Sequence, residues 1–394
     1  MNKSYISGNE NARITPSRPA RVAVVIPKYG LVGGAEGFAA ELTECLTRNP
    51  RYDIHVFANR WQKSSGRITF HKVPILFFPK FLTTPSFACF AAKKIAASQI
   101  NLIHSHERIY HADIATLHGI PHRYWVREIR KKMPNLYDWT TIHIEQKLMA
   151  DAGCRWFLPV STLTKRILER EYAVDPRKIR VIHPGVDMLP FKNKNRNDCR
   201  KKVRDMFAIG NEKPLILFVS MNFEIKGLDD LLRGMAVLHA QGTAKAWTLL
   251  VVGKGDEIKY RAMARELGIE NSVFFSGVVR KEQLIPIYYA CDAFAMLSRF
   301  DTFGMVVLEA MAAGLPVLVS ANVGAKDLIE QGTNGFIIEN PSDANAVAGY
   351  LDRLLNSDLR AQMNLSAIET AENNSWETTA RHVEALYEDV LVRL

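Results

Sequence analysis

Ser298-Arg299-Phe300-Asp301-Thr302-Phe303-Gly304-Met305-Val306-Val307-Leu308-Glu309-Ala310-Met311-Ala312-Ala313-Gly314-Leu315-Pro316-Val317 is the stretch that decides the fold. An apolar strand ends at Ser298 and a short polar loop follows. Gly304 then opens a helix that Gly314 and Pro316 must stop before the next apolar strand begins. This is a strand–helix–strand unit of a parallel sheet. The first helical turn carries amides without intrahelical partners and the positive end of the helix dipole. Gly304 removes the side chain that would keep an anion off the main chain. Asp301 and Glu309 bracket that turn with seven residues between them. Carboxylates accept paired hydrogen bonds from neighbouring hydroxyls, so the block reads as a diphosphate site flanked by two hydroxyl-binding groups.

The same alternation extends in both directions. Towards the N-terminus, strands are expected at 22–27, 54–58, 69–73, 102–104, 114–118 and 156–160, with Ser161 capping the helix after the last. Later strands are expected at 215–220, 248–253, 273–276, 293–297, 317–320 and 335–338. Between the two runs, residues 188–197 lose their periodicity and fill with Lys, Asn and Arg, as a domain junction does. The fold class is therefore α/β, with two doubly wound parallel-sheet domains facing across a cleft. The boundaries read as a flexible arm over 1–20, an N-terminal domain over 21–185, a C-terminal domain over 186–374 and a final helix over 375–394.

The chain has 394 residues, enough for two such cores. Its five cysteines contain no CxxC pair, residues 1–19 lack an apolar signal region, and no apolar run is long enough to span a membrane. A cytoplasmic protein is expected, peripheral on the inner face of the plasma membrane at most. A net charge of +10 calls for an anionic partner. No nucleic-acid motif or aromatic stacking platform is present, so a non-enzymatic nucleic-acid binder is the remote alternative. The basic, aromatic run Arg123 to Lys132 suits an anionic membrane surface. His104, His106 and His111 read as hydrogen-bonded cleft residues, no metal site is expected, and Asp229-Asp230 reads as the solvated start of a helix.

Two further loops carry chemistry. Lys28 to Glu36 contains Gly33 and Gly34 after the first strand, suited to a tight turn beneath a ligand. Ser220 to Leu228 places Lys226 and Gly227 before a helix on the same sheet edge as the opening block, where an ammonium reaches a diphosphate. Pro184 to Asp187 marks the junction, and Ser375-Trp376-Glu377 precedes the last helix.

In this order the blocks resemble the retaining glycosyltransferases of family 4, which have the GT-B fold. The pattern around Ser220 to Gly227 is most like that of lipopolysaccharide core glucosyltransferases. The resemblance implies that the C-terminal domain binds a nucleotide diphosphate sugar, a UDP-sugar foremost, and that the last helix crosses back to the N-terminal domain. It implies that Lys226 and the amides of Met305 and Val306 hold the diphosphate beside Phe303 and Gly304, and that Glu309 accepts the ribose hydroxyls. Asp301 then faces the sugar, the main chain at Val279 meets the base, and Gly33, Gly34 and Ser220 complete the donor site. His118 touches the transferred sugar from across the cleft, with Lys226 and Asp301 as its partners in catalysis. Glu107 and Arg108 contact a saccharide or glycolipid acceptor. No cofactor or metal is implied. Two departures stand out: Asp301 replaces the family's first glutamate, and Ser220 stands where many members carry an arginine. The rival enzymatic reading is a nucleotide-sugar epimerase or hydrolase on the same fold.

Overall fold

The structure, a computed structural model, describes residues 18–31, 33–62, 66–242 and 247–392. Most of the expected N-terminal arm lies outside them. In the N-terminal domain, strands β1 (Ala20–Val25), β2 (Tyr52–Ala58), β3 (Ile68–Lys72), β4 (Leu102–Ser105), β5 (Ile114–Leu117) and β6 (Trp156–Pro159) form one parallel sheet. Its order is β3-β2-β1-β4-β5-β6, with Val22 opposite Ile54 on one side and Leu102 on the other. Helices α1 (Gly34–Leu46), α2 (Thr83–Ala96) and α3 (Leu136–Met149) lie between these strands, and α4 (Thr162–Glu171) follows the last of them. Ser161 caps α4, its hydroxyl accepting from Thr164 N at 3.2 Å.

The C-terminal domain repeats the plan. Strands β7 (Leu215–Ser220), β8 (Thr248–Gly253), β9 (Val273–Gly277), β10 (Ala293–Met296), β11 (Val317–Ser320) and β12 (Gly335–Ile338) are all parallel, in the order β9-β8-β7-β10-β11-β12. Helices α5 (Arg196–Met206), α6 (Leu228–Ala240), α7 (Glu257–Glu266), α8 (Lys281–Ala290), α9 (Met305–Ala312), α10 (Ala344–Leu355) and α11 (Ser357–Asn373) cover it. Central strands such as Leu215-Ile216-Leu217-Phe218 are apolar at every position because helices bury both faces. In each sheet the order reverses beside the first strand, and ligands of such sheets bind at that reversal, beyond the strands' C-terminal ends.

Helix α12 (Trp376–Leu391), capped by Ser375, returns to the N-terminal domain. Trp376 packs edge-on to Phe38 of α1, with ring centroids 5.2 Å apart, and Tyr52 donates to Glu388 at 2.9 Å. Tyr387 is fully buried with its hydroxyl 2.8 Å from His104 Nδ1. Trp376 and Tyr387 thus belong to a core that runs through both domains.

The start of α6 departs from the sequence expectation. Asp230 is 3 % exposed, and the guanidinium of Arg299 folds over the helix start to bond Asp229 at 2.7 Å. These carboxylates anchor the loop after β10. Among the described residues, no helix is long and apolar enough to cross a membrane.

Candidate active site

Gly304 caps α9 with φ +91, and a Cβ there would lie 2.8 Å from Met296 Cε. The left-handed backbone is what favours glycine here, since the Met296 methyl at the end of a flexible side chain can give way. The first-turn amides of Met305 and Val306 have no intrahelical acceptor and face the dipole's positive end. At the same terminus Lys226 Nζ forms an ion pair with Asp301 Oδ2, while Asp301 Oδ1 accepts from Phe303 N at 3.3 Å. The sequence-distant Lys226 and Asp301 therefore meet at the mouth of α9.

Glu309 lies one turn into α9, four residues after Met305. Its Oε2 accepts a 2.8 Å hydrogen bond from Tyr288 of α8, whose hydroxyl burial and the nearby Glu309 charge hold well above its ordinary pKa, so it stays a donor. Glu309, Met305 and Tyr288 line a cavity of about 270 Å³ whose far wall is Gly33, Gly34 and Phe38 of the other domain. At Gly33, φ is +156 and a Cβ would stand 2.0 Å from Glu36 Oε2, so the Glu36 carboxylate lies against the main chain.

A second cavity, about 420 Å³, opens on the N-terminal side, lined by His118, His106, Glu107, Arg108 and Glu145. Gly34 borders both cavities. Arg108 Nε bonds Glu145 at 2.6 Å and its Nη1 bonds Glu107 at 3.2 Å, so the one guanidinium is shared by two carboxylates and the rim is polar. His118 Nε2 lies 2.9 Å from His106 Nδ1, and the two rings stack at 5.2 Å. Burial lowers His118 to a pKa of about 3, which keeps the ring neutral at physiological pH. It can hydrogen-bond a sugar without carrying charge. His104 joins this buried cluster through its ring contact with His106, whereas His111 bonds Asp151 at the surface.

The domains are tied beside the cleft. Asp327 accepts from Thr162 N at 2.6 Å and from Thr162 Oγ1 at 2.5 Å, and lies 3.1 Å from His183 Nε2. Burial alone raises its pKa, but the bonds from His183 and Thr162 outweigh that and lower it. Ser161 Oγ donates to Thr302 O at 2.6 Å, one residue from Asp301.

The structure thus gathers Gly33, Gly34, Met305 and Glu309 around one cavity, His118, Glu107 and Arg108 around the other, and Lys226 with Asp301 at the helix mouth. Ser220, Phe303 and Val279 are not among the residues lining either cavity. Ser220 is buried, its hydroxyl accepting from Asn222 N at 2.8 Å. The Phe303 side chain packs in the core, and Val279 follows β9 and packs on that core, the cavity wall beside it being Leu284 and Ile285. Tyr288, which the sequence did not single out, lines the donor-side cavity together with Asp187 and Trp376, which the sequence marked only as parts of the junction and of the last helix's start. For Tyr288, an aromatic in an apolar helix, nothing local signals its bond to Glu309.

The chain matches Glycosyltransferase Family 4 over residues 32–188 and Glycosyl transferases group 1 over residues 200–389. It is a glycosyltransferase of the GT-B type. The uncharacterized glycosyltransferase MJ1607 of Methanocaldococcus jannaschii is 26 % identical, the match covering 93 % of this chain and 97 % of the relative. A D-inositol 3-phosphate glycosyltransferase of Acidothermus cellulolyticus is 25 % identical over 98 % of this chain and 93 % of its own length. WaaG, a glycosyltransferase involved in lipopolysaccharide biosynthesis, superposes with a TM-score of 0.74 at 19 % identity, over 93 % of this chain and 99 % of WaaG. Anabaena Alr3699/HepE in complex with UDP-glucose does so with a TM-score of 0.69 at 17 % identity, over 94 % and 99 % of the two chains.

Proposed function

We propose that this glycosyltransferase moves a hexose from a nucleotide diphosphate sugar, a UDP-sugar foremost, to a hydroxyl of a saccharide or lipid-linked acceptor, with retention at the anomeric carbon. The pathway is assembly of lipopolysaccharide core or another cell-envelope glycan. The observation that carries this reading is the Lys226–Asp301 ion pair at the open N-terminus of α9, beside the interdomain cavity that Glu309 lines. UDP-glucose in the Anabaena neighbour and the pathway of WaaG support the donor and the setting.

In the proposed reaction the bond from the anomeric carbon to the β-phosphate oxygen breaks as the acceptor oxygen bonds that carbon on the same face. The acceptor proton passes to the departing phosphate oxygen, leaving a nucleoside diphosphate and a glycoside. Lys226 and the α9 amides stabilise the charge that develops on the phosphate; no metal or organic cofactor is invoked. Asp301 sets the sugar orientation once the diphosphate draws Lys226 away, and neutral His118 hydrogen-bonds the transferred sugar. Glu107 and Arg108, which line the N-terminal cavity, are assigned to the acceptor.

Lys226→Ala tests this. Losing one preorganised charge-stabilising group is expected to lower kcat about 10²- to 10³-fold with thermal unfolding unchanged. Near-normal turnover would remove Lys226 from its role. A thermal-shift panel of UDP-, GDP- and ADP-sugars identifies the donor, since saturation at a hundred times Kd stabilises the fold by about 2.7 kcal/mol.

A further inference from the structure

Phe77 (58 % exposed), Phe78 (91 %), Met133 (88 %), Leu136 (57 %) and Trp139 (60 %) all stand largely in solvent. Singly exposed apolar residues are ordinary, but these come from two segments that the fold holds together. Thr140 Oγ1 of α3 donates to Phe81 O at 2.8 Å, and Lys80 Nζ lies 5.1 Å from the Tyr137 ring centroid. The loop carrying Phe77 and Phe78 is therefore fixed against the start of α3, which carries Leu136 and Trp139.

The charge around this edge is one-sided. Lys80, Lys131 and Lys132 are exposed beside it. The neighbouring acids are neutralised: Asp138 is fully buried and ion-paired with Arg130, and Glu128 bonds Arg127 at 2.6 Å. The arginines of the basic run are paired in the same way, Arg123 and Arg127 each bonding Glu171 at 2.8 Å. Among the described residues, the cations here with no carboxylate bonded to them are thus the exposed lysines next to the rings, a different set from the whole basic run.

We infer that this edge of the N-terminal domain docks on a bilayer containing anionic phospholipid, its rings entering the headgroup region while the lysines meet the lipid phosphates. Charge complementarity selects this occupant: a second copy facing the same edge would set lysine against lysine. The interior behind the edge fits the same occupant. A cavity of about 350 Å³ runs from Phe77 and Tyr137 to Glu107, which also borders the cavity of His118. Glu107 thus stands between the docking edge and the cleft where an acceptor anchored in the bilayer would have to reach. Docking itself does not depend on the proposed donor chemistry, because it is read without any sugar.

The test uses the full chain and extruded vesicles of phosphatidylcholine with or without phosphatidylglycerol. Cosedimentation with the anionic vesicles at low salt, falling as salt rises, is the expected result. Lys131→Gln with Lys132→Gln should weaken anionic-vesicle binding about 25-fold, from roughly fivefold per lysine. Phe78→Ser with Trp139→Ser should weaken it at least as much, from the apolar surface withdrawn from the interface. Both pairs are exposed, so unchanged melting curves verify the fold; Phe78→Ser alone replaces the double variant if its curve moves. Equal sedimentation of wild type and both variants overturns the inference. So does a wild-type dimer in gel filtration that Phe78→Ser dissociates, since the edge would then join two copies.

Discussion

The buried histidines make the N-terminal domain acid-labile in a pH window that carboxylates hardly touch. His104 is fully buried, with Nε2 2.7 Å from Thr116 Oγ1 and Nδ1 facing the Tyr387 hydroxyl; burial, and then the charge of His118, lower its pKa from 6.5 to about 3. Burial takes His118 to about 3 as well, and His106 is lowered in the same direction. A depressed histidine is neutral when folded and protonated when unfolded, so stability is full above pH 6.5 and falls as pH drops towards 3. At pH 5.0 each of His104 and His118 costs about 1.5 pH units at 1.36 kcal/mol, or about 2 kcal/mol, and the pair about 4 kcal/mol. Asp138, lowered to about 2, begins to contribute only near pH 4, so comparing pH 7.5 with pH 5.0 isolates the histidines. The assay is urea unfolding at those two pH values, with His104→Gln as the second protein. Wild type should lose about 4 kcal/mol or more across the interval, and the variant about 2 kcal/mol less than that. A loss below about 1 kcal/mol in wild type, or equal losses in both proteins, would refute the assignment of neutral buried imidazoles.

Three other substitutions probe the cleft. Tyr288→Phe removes a hydrogen bond to a charged partner worth about 1.5–3 kcal/mol, so the Kd of the stabilising nucleotide sugar should rise at least tenfold in calorimetry; an unchanged Kd means that Tyr288 does not set the orientation of Glu309. Gly304→Ala forces a side chain into a left-handed backbone and against Met296, and should cost about 2 kcal/mol in unfolding experiments as well as the nucleotide-sugar thermal shift. A protein that melts normally and still binds donor contradicts the close approach at α9. Asp327→Ala leaves Thr162 and His183 without their shared acceptor across the domain junction; the radius of gyration from X-ray scattering should increase, and an unchanged curve would show that other contacts hold the cleft.

The strands were legible because parallel strands buried on both faces read as apolar runs: 215–220, 248–253, 317–320 and 335–338 have the same limits in sequence and structure. Helix starts were legible where a local group sets them, as at Ser161 and Gly304. Contacts between distant segments were not. Arg123 looked like a surface cation because its partner Glu171 lies 48 residues away, and Asp229 looked solvated because Arg299 arrives from 70 residues along the chain. Ser220 illustrates a subtler limit. Its position at a strand end facing the cleft was readable, but the direction of its hydroxyl depends on a turn that brings Asn222 N back to it.

Helix α12 carries a consequence for anyone recombining these enzymes. Trp376 under Phe38 and Tyr387 against His104 belong by contact to the N-terminal domain, although they follow the whole C-terminal domain in the chain. A chimaera that exchanges donor domains at the junction near residue 186 must keep residues 376–391 from the parent of its N-terminal half. Otherwise it confronts the buried imidazole of His104 with a foreign helix. During synthesis the same arrangement makes the first domain to leave the ribosome the last to complete its core, which stays open on the α12 side until the final helix emerges.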